Sequence, residues 1–181
     1  MKRIWILTLG MFALGMDTYI VAGLLPDMGD SFNKSGAEIG QGVTVFTLFF
    51  ALSAPIFSTV LAKFPVKSIL LIALLTFGLA NFATMLSPNY SIYIISRCIA
   101  GLGAGLFSPM AVSSGGHLVD NKNKGKALAF IVGGMSIGTV IGVPLGLQIA
   151  NLVNWRFAIA VIVIVSAIAF ISIAIYIPNF K

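Results

Sequence analysis

Two residues of opposite charge lie inside apolar stretches of the sequence, Asp17 near the N-terminus and Arg97 in the middle of the chain. Asp17 belongs to an apolar run over residues 4–25, and Arg97 belongs to another over residues 91–115. A charged side chain at membrane depth is costly, so such residues generally face a partner or a cavity and indicate a functional site. The carboxyl group of Asp17 is therefore a candidate proton carrier, and the guanidinium of Arg97 is a candidate partner for it.

Both residues also have a purely structural interpretation. An ion pair between Asp17 and Arg97 would hold two helices together without moving a proton, and the sequence leaves the choice open. Asn81 and Gln148 are predicted to form hydrogen bonds between helices, as amide side chains commonly do in membrane bundles.

A set of polar or small residues at helical spacing could line an aqueous cavity for a solute, namely Gln41, Thr44, Thr47, Gly101, Gly105 and Ser108. The last three share a helix face with Arg97. Hydroxyl side chains also bond to carbonyls of their own helix, and spaced glycines also form packing seams. Both interpretations stay open for this set.

The composition identifies the medium in which these residues act. Of the 181 residues, 59% are hydrophobic and 9% are charged, which is far from the balance of a soluble domain. Six apolar stretches have about the 20 residues that cross a bilayer as a helix, at 4–25, 40–62, 68–87, 91–115, 127–150 and 157–177. We predict an all-α membrane protein in which residues 1–181 form one six-helix transmembrane bundle.

The basic residues are concentrated on one side of these spans. Of the 11 lysines and arginines, those assigned to that side are Lys2, Arg3, Lys63, Lys67, Lys122, Lys124, Lys126 and Lys181. Cytoplasmic loops carry such an excess. We expect a multi-pass protein of the cell membrane (plasma or inner membrane) with both termini cytoplasmic. The net charge of +6 then indicates contact with the lipid bilayer and not with nucleic acid.

The first span also resembles a signal peptide, because Lys2 and Arg3 precede an apolar run. No A-x-A-like cleavage site follows, so we expect an uncleaved span.

Few residues offer other chemistry. The single histidine, His117, excludes a multi-histidine metal site within one chain, and the single cysteine, Cys98, excludes an intramolecular disulfide. The serines lack a histidine or lysine base at membrane depth. We therefore predict no catalytic residues, no metal, no cofactor and no enzyme activity.

Glycine recurs at every fourth position of the fifth span, at Gly134, Gly138, Gly142 and Gly146. Such a stripe lets another helix approach backbone to backbone in lipid. Pro144 cannot donate to the carbonyl of Val140, so a bend is expected there. Because glycine is frequent in spans 1, 2, 4 and 5, we predict that these pack centrally and that spans 3 and 6 face lipid.

Four motifs in this order resemble the N-terminal half of a major facilitator superfamily transporter of the twelve-span drug:proton antiporter type. They are Gly15–Met28 at the end of span 1, Arg97–Gly105 in span 4, Gly133–Gly146 in span 5 and Asn154–Arg156 before span 6. The resemblance implies two three-helix inverted repeats, and a role for Asp17 and Arg97 in proton coupling. It also implies that the glycine stripe with Pro144 is the antiporter motif.

Two motifs depart from the family pattern. In span 5, the family's adjacent glycine and proline are separated by a residue, as Gly142-Val143-Pro144. In the loop between spans 2 and 3, Lys63 and Lys67 keep the basic character of the family motif, but Lys63 stands where the family has an acid.

The residues and the resemblance together predict a proton-coupled secondary transporter for efflux or antiport of a small organic solute, such as a drug, a sugar or a nucleobase-like metabolite. It would work with a second six-helix half or as a homodimer. The alternative is a non-transporting protein, either a truncated remnant or a membrane assembly or regulatory partner. Proton-dependent efflux by the chain would distinguish the two.

Overall fold

A computed structural model describes residues 2–60 and 63–178. Within those ranges the chain is helical and has no strand, so the all-α prediction is confirmed. Residues 61 and 62, which the predicted second span includes, and Lys181, which was assigned to the basic side, lie outside the described residues.

The described chain contains eight α-helices, which are α1 (Lys2–Gly23), α2 (Leu25–Phe32), α3 (Gly36–Val60), α4 (Val66–Leu86), α5 (Tyr90–His117), α6 (Lys124–Ile137), α7 (Val143–Leu152) and α8 (Trp155–Tyr176). A π-helical turn, Gly138–Gly142, joins α6 to α7, so that these elements form one continuous span. Six helices of the described chain are long and apolar enough to cross a membrane, as the sequence predicted. α2 is not one of them.

Successive spans alternate in direction, so the connections gather at two ends of the bundle. The α2 end holds α2 and the turns at residues 87–89 and 153–154. The lysine end holds residues 63–65 and 118–123. Contacts join elements within each end: Trp155 Nε1 donates to Ser31 Oγ at 2.9 Å at the α2 end, and Lys67 Nζ donates to the carbonyl of Ala174 at 2.7 Å at the lysine end.

The sequence did not predict the short helix α2, and extended span 1 to residue 25. α1 in fact ends at Gly23, and Pro26 occupies the first turn of α2, where a missing N–H is tolerated. α2 buries Met28 and ends at Asn33, whose left-handed backbone (φ 51°) suits asparagine. An eight-residue helix is too short to span the membrane, and α2 packs mainly against α3.

The predicted division into central and peripheral spans is right for α1 and α5 and differs for the other four. α1 is the most buried span. Within the most apolar 18 residues of each span, 67% are buried in α1, but only 24% in α3 and 22% in the α6–α7 span. α4 and α8, which were assigned to the periphery, pack against each other and bury 44% and 33%. Glycine on a helix predicts close approach on one face only. In α3 and the α6–α7 span, the opposite face is not covered by another helix of the described chain.

Candidate functional site

Asp17, Asn81 and Arg97 meet between α1, α4 and α5. At 1.5 Å per residue, all three lie roughly 8–10 Å along their helices from the α2 end. None of the three side chains is accessible to solvent. The fold therefore brings together the two charged residues whose pairing the sequence left open.

The pair is joined by one strong hydrogen bond. Arg97 Nη1 donates to Asp17 Oδ1 at 2.8 Å, and Asn81 Nδ2 donates to Asp17 Oδ2 over a longer 3.4 Å. The guanidinium carbon of Arg97 lies 4.5 Å from the centre of the Phe46 ring, a favourable cation–π distance. Because the contact is not bidentate, protonation of Asp17 would weaken a single charge-assisted bond.

Two donors of Arg97 are left over. Nε and Nη2 are buried and have no hydrogen-bond partner among the described residues. A buried ion pair stabilises a protein only when further hydrogen bonds satisfy both charges. On the Arg97 side, the further hydrogen bonding within the described chain is limited to the 3.5 Å contact of Nη1 with Asn81 Oδ1.

Three buried hydroxyl groups continue the polar region toward the α2 end. Thr84 Oγ1 and Ser96 Oγ are hydrogen-bonded to each other at 2.7 Å, and Ser87 Oγ donates to the carbonyl of Thr84 at 2.7 Å. Sequence reasoning missed all three. The available signal was the spacing of Asn81, Thr84 and Ser87, which puts them on one face of α4.

The predicted cavity residues divide into two groups. Gln41, Thr44 and Thr47 are exposed on α3. Ser108 on α5 is half-buried. Gly101 and Gly105 instead seat α5 against α3, since a Cβ atom would lie 2.4 Å from the carbonyl oxygen of Phe46 or 2.2 Å from that of Phe50, respectively.

A second open surface, which the sequence analysis did not identify, lies between α1 and the α6–α7 span and is mostly apolar with a few hydroxyl groups. An open groove of about 360 Å³ is lined by Tyr19, Met135, Ser136, Thr139 and Val140. Tyr19 is 53% exposed although it lies within a membrane span. The Thr139 hydroxyl donates to the carbonyl of Gly15 at 3.2 Å, which joins the π turn to α1.

The glycine stripe packs on α1 in a regular register, with Gly134 against Thr8, Gly138 against Phe12, Gly142 against Met16 and Gly146 against Ile20. The closest approach is at Gly138, where a Cβ would lie 2.1 Å from the carbonyl oxygen of Phe12. The π turn lies just before Pro144, whose missing N–H leaves the Val140 carbonyl without its usual donor. π turns within α-helices often occur at functional sites.

The two loop lysines lie at the lysine end, far from the buried pair. Lys63 is exposed, and Lys67 bonds to the end of α8. The described residues contain no group of three side chains that could hold a metal ion.

Comparison with known proteins finds transporter relatives. The chain is 30% identical over 176 residues to the uncharacterized MFS-type transporter YbcL of Bacillus subtilis, which covers 97% of this chain and 45% of that protein. It is 26% identical over 153 residues to the chloramphenicol resistance protein of Streptomyces lividans, covering 84% of this chain and 39% of that protein. The chain thus spans less than half the length of these relatives.

Solved structures agree in fold. The proton:xylose symporter XylE bound to 6-bromo-6-deoxy-D-glucose superposes with a TM-score of 0.86 at 18% identity, over 98% of this chain and 44% of that chain. The predicted fold, one half of the major facilitator architecture, is confirmed. Residues 7–179 match the model of the Major Facilitator Superfamily, and the chain therefore belongs to that family.

Proposed function

We propose that this chain is one six-helix half of a proton-coupled secondary transporter that exports a small organic solute in exchange for protons. The observation that carries the proposal is the Asp17–Arg97 pair, which is completely buried and joined by one 2.8 Å bond. Asp17 is the only acid within the apolar spans apart from Glu38 at the start of α3, so this half offers one deeply placed carboxylate.

Protonation of Asp17 would couple to movement through the contact between α1 and α5. The carboxylate holds the guanidinium of Arg97, and a neutral carboxyl group would hold it less strongly. Each protonation state then favours a different arrangement of the helices, which is the requirement for a population shift between two states. In a transporter of two bundles, such a shift opens the central site to one side or the other.

The solute would contact two uncovered faces that carry polar groups. These are the α3 face with Gln41, Thr44 and Thr47, with Ser108 nearby on α5, and the groove that contains Tyr19 and Ser136. A drug, sugar or nucleobase-like metabolite is the proposed class. Support comes from the Streptomyces relative named for chloramphenicol resistance and from the structural neighbour named a xylose symporter.

A second six-helix bundle, either another half or a second copy of this chain, would complete the transporter. The exposed faces of α3 and of α6–α7 carry large apolar side chains, among them Leu48, Leu52, Val140 and Leu145. We propose that residues 1–181 act as one bundle in the cell membrane, with the lysine end and both termini in the cytoplasm.

Substitution of Asp17 tests the proposal. In the active assembly reconstituted in liposomes, Asp17→Asn should still bind solute but lose transport driven by a pH gradient, because the amide cannot change charge. Arg97→Lys keeps the charge and loses the planar fork, so it should weaken solute binding or shift the pH optimum. Asp27→Asn, on the exposed surface of α2, is the matched control. Unchanged proton-driven transport in Asp17→Asn would contradict the proposal.

The second candidate is a non-transporting membrane protein, either a remnant or an assembly or regulatory partner. The uncovered faces of α3 and α6–α7 favour it to the same degree, because they would also dock on another membrane protein. It predicts that no assembly containing the chain moves solute in response to a pH gradient.

A further inference from the structure

Buried polar groups between α4 and α5 form a series that we call the hydroxyl file, made of the hydroxyl residues Ser87, Thr84 and Ser96 and the amide residue Asn81. We propose that the hydroxyl file is the route by which protons reach Asp17 from the α2 end of the bundle. This inference rests on the proposed function in one respect, that Asp17 takes up a proton.

The file descends in steps of about one helical turn. Ser87 caps α4 at the α2 end, and Thr84 and Asn81 follow at intervals of three residues, each a rise of about 4.5 Å along the same face. Ser96 faces Thr84 from α5 at 2.7 Å, next in sequence to Arg97. Asn81 then contacts Asp17 directly at 3.4 Å.

The hydroxyl groups of the file have alternative partners. Thr84 Oγ1 is within 3.1 Å of the Ala80 carbonyl, and Ser96 Oγ is within 2.7 Å of the Tyr93 carbonyl, besides their contact with each other. Either hydroxyl of the pair can be the donor. The hydrogen of each group can therefore turn from one acceptor to the other, which is what passing a proton along a series requires.

The surroundings leave few other groups for the task. Besides Asp17, residues 4–23 of α1 contain one ionisable side chain, Tyr19, and residues 90–116 of α5 contain Tyr90, Tyr93, Arg97 and Cys98. Residues 39–60 of α3, 68–86 of α4, 127–152 of the α6–α7 span and 157–175 of α8 contain no ionisable side chain. Nε and Nη2 of Arg97, which have no partner among the described residues, lie in the same buried region.

The end of the file is anchored at the membrane surface. Arg156, half-buried at the start of α8, donates through Nη2 to the Ser87 carbonyl at 2.9 Å and through Nη1 to the Met85 carbonyl. This contact holds the last turn of α4, and with it the buried Ser87, beside the exposed residues Pro88 and Asn89.

The relay moves one proton from solvent to Asp17. A hydronium ion at the α2 end gives up one proton, and each hydroxyl oxygen accepts one proton and releases another. The Asn81 amide accepts one proton at Oδ1 and releases one from Nδ2 to Asp17, which changes from carboxylate to carboxylic acid. The amide is restored when the proton on Oδ1 moves to Nδ2. In the opposing interpretation these hydrogen bonds only fasten α4 to α5 and carry no proton.

Infrared spectroscopy of the full chain in liposomes separates the two interpretations. The C=O band of protonated Asp17, identified by its loss in Asp17→Asn, shifts when the medium is exchanged for D₂O, and the rate of that shift measures proton access. Thr84→Val keeps the shape and removes the hydroxyl, so it should slow the shift by about tenfold or more, the equivalent of losing one hydrogen-bonded step. Thr84→Ser keeps the hydroxyl and should exchange near the original rate.

Further variants complete the design. Ser96→Ala should slow exchange as Thr84→Val does, and it carries the test if Thr84→Val fails to fold. Thr76→Val, two turns away on the same helix, should have no effect. Equal rates in Thr84→Val, Ser96→Ala and the original chain would overturn the relay and leave Asp17 as a proton carrier. Absence of the Asp17 band at every pH tested would overturn both the relay and the proposed function.

Discussion

Two helix seams of this bundle differ in their main kind of contact. Each also contains some of the other kind, since Gly103 of α5 lies close to the α4 backbone and the Thr139 hydroxyl bonds to α1. Between α1 and the α6–α7 span, glycines bring backbone against backbone, with a would-be Cβ at Gly138 only 2.1 Å from the carbonyl of Phe12. Between α4 and α5, the hydroxyl file joins the helices through side-chain hydrogen bonds such as the 2.7 Å contact of Thr84 with Ser96. The first seam depends on close backbone packing, so it cannot rearrange unless a helix moves. In the second seam, hydroxyl groups can exchange hydrogen-bond partners while the helices stay in place. We therefore expect the first seam to keep the helices fixed and the second to carry the proposed proton transfer.

The largest expected loss of stability comes from breaking the buried Asp17–Arg97 pair, next to Asn81 of the hydroxyl file. Arg97→Ala leaves Asp17 as an uncompensated buried charge and should lower the free energy of unfolding by about 3–5 kcal/mol. The double variant Asp17→Leu with Arg97→Met should lose less, because no charge remains buried. Unfolding in mixed detergent micelles measures both. A double variant that loses as much as Arg97→Ala would show that the pair acts through packing.

A smaller loss, of about 1–3 kcal/mol, is expected for Gly138→Ala in the glycine seam, because the new methyl group meets a backbone carbonyl that cannot rotate away. Gly142→Ala should cost less, since the nearest atoms, at 3.1 Å, belong to the flexible side chain of Met16. Gly133→Ala is the control, since its Cβ would face open space. It should gain up to about 1 kcal/mol from helix propensity. Equal costs at all three positions would refute the seam as described.

The hydroxyl file should contribute less to stability than the glycine seam. Thr84→Val conserves volume and removes the hydroxyl that contacts Ser96 and the Ala80 carbonyl. Because Ser96 keeps its bond to the Tyr93 carbonyl, the expected cost is about 1 kcal/mol in the same unfolding assay. A cost well above that of Gly138→Ala would reverse the comparison and make the file the main fastening of the bundle.

The smallest effect on stability is expected on the exposed face of α3. Thr44→Cys, in a Cys98→Ala background, should change stability by no more than about 0.5 kcal/mol. If this face lines an aqueous cavity, the new thiol should react with a membrane-impermeant maleimide. Gly101→Cys should not react, because that position is packed against the α3 backbone. Failure of Thr44→Cys to react would place this face against lipid or protein.

The six spans were predictable because apolar length is a direct consequence of bilayer thickness. The glycines of span 5 predicted close approach, but not that α1 would be the partner, because spacing along one helix carries no information on its neighbour. The sequence also predicted that Asp17 and Arg97 lie within the membrane, but it could not predict that they pair. Thr84 and Ser96 were missed because hydroxyl residues commonly bond to their own helix, so only the facing helix reveals which ones bond across.

The π turn in the α6–α7 span has an angular consequence. Four residues of α-helix wind about 40° past a full circle, so four glycines spaced by four would spread over about 120° of the helix surface. A π turn winds less per residue, because its hydrogen bonds skip one residue more. Placed between Gly138 and Gly142, it takes back part of this drift and keeps Gly146 directed at Ile20 of α1. A one-residue deletion at Val140 or Ile141 would therefore change which side of α7 meets α1, even though every glycine of the stripe is retained.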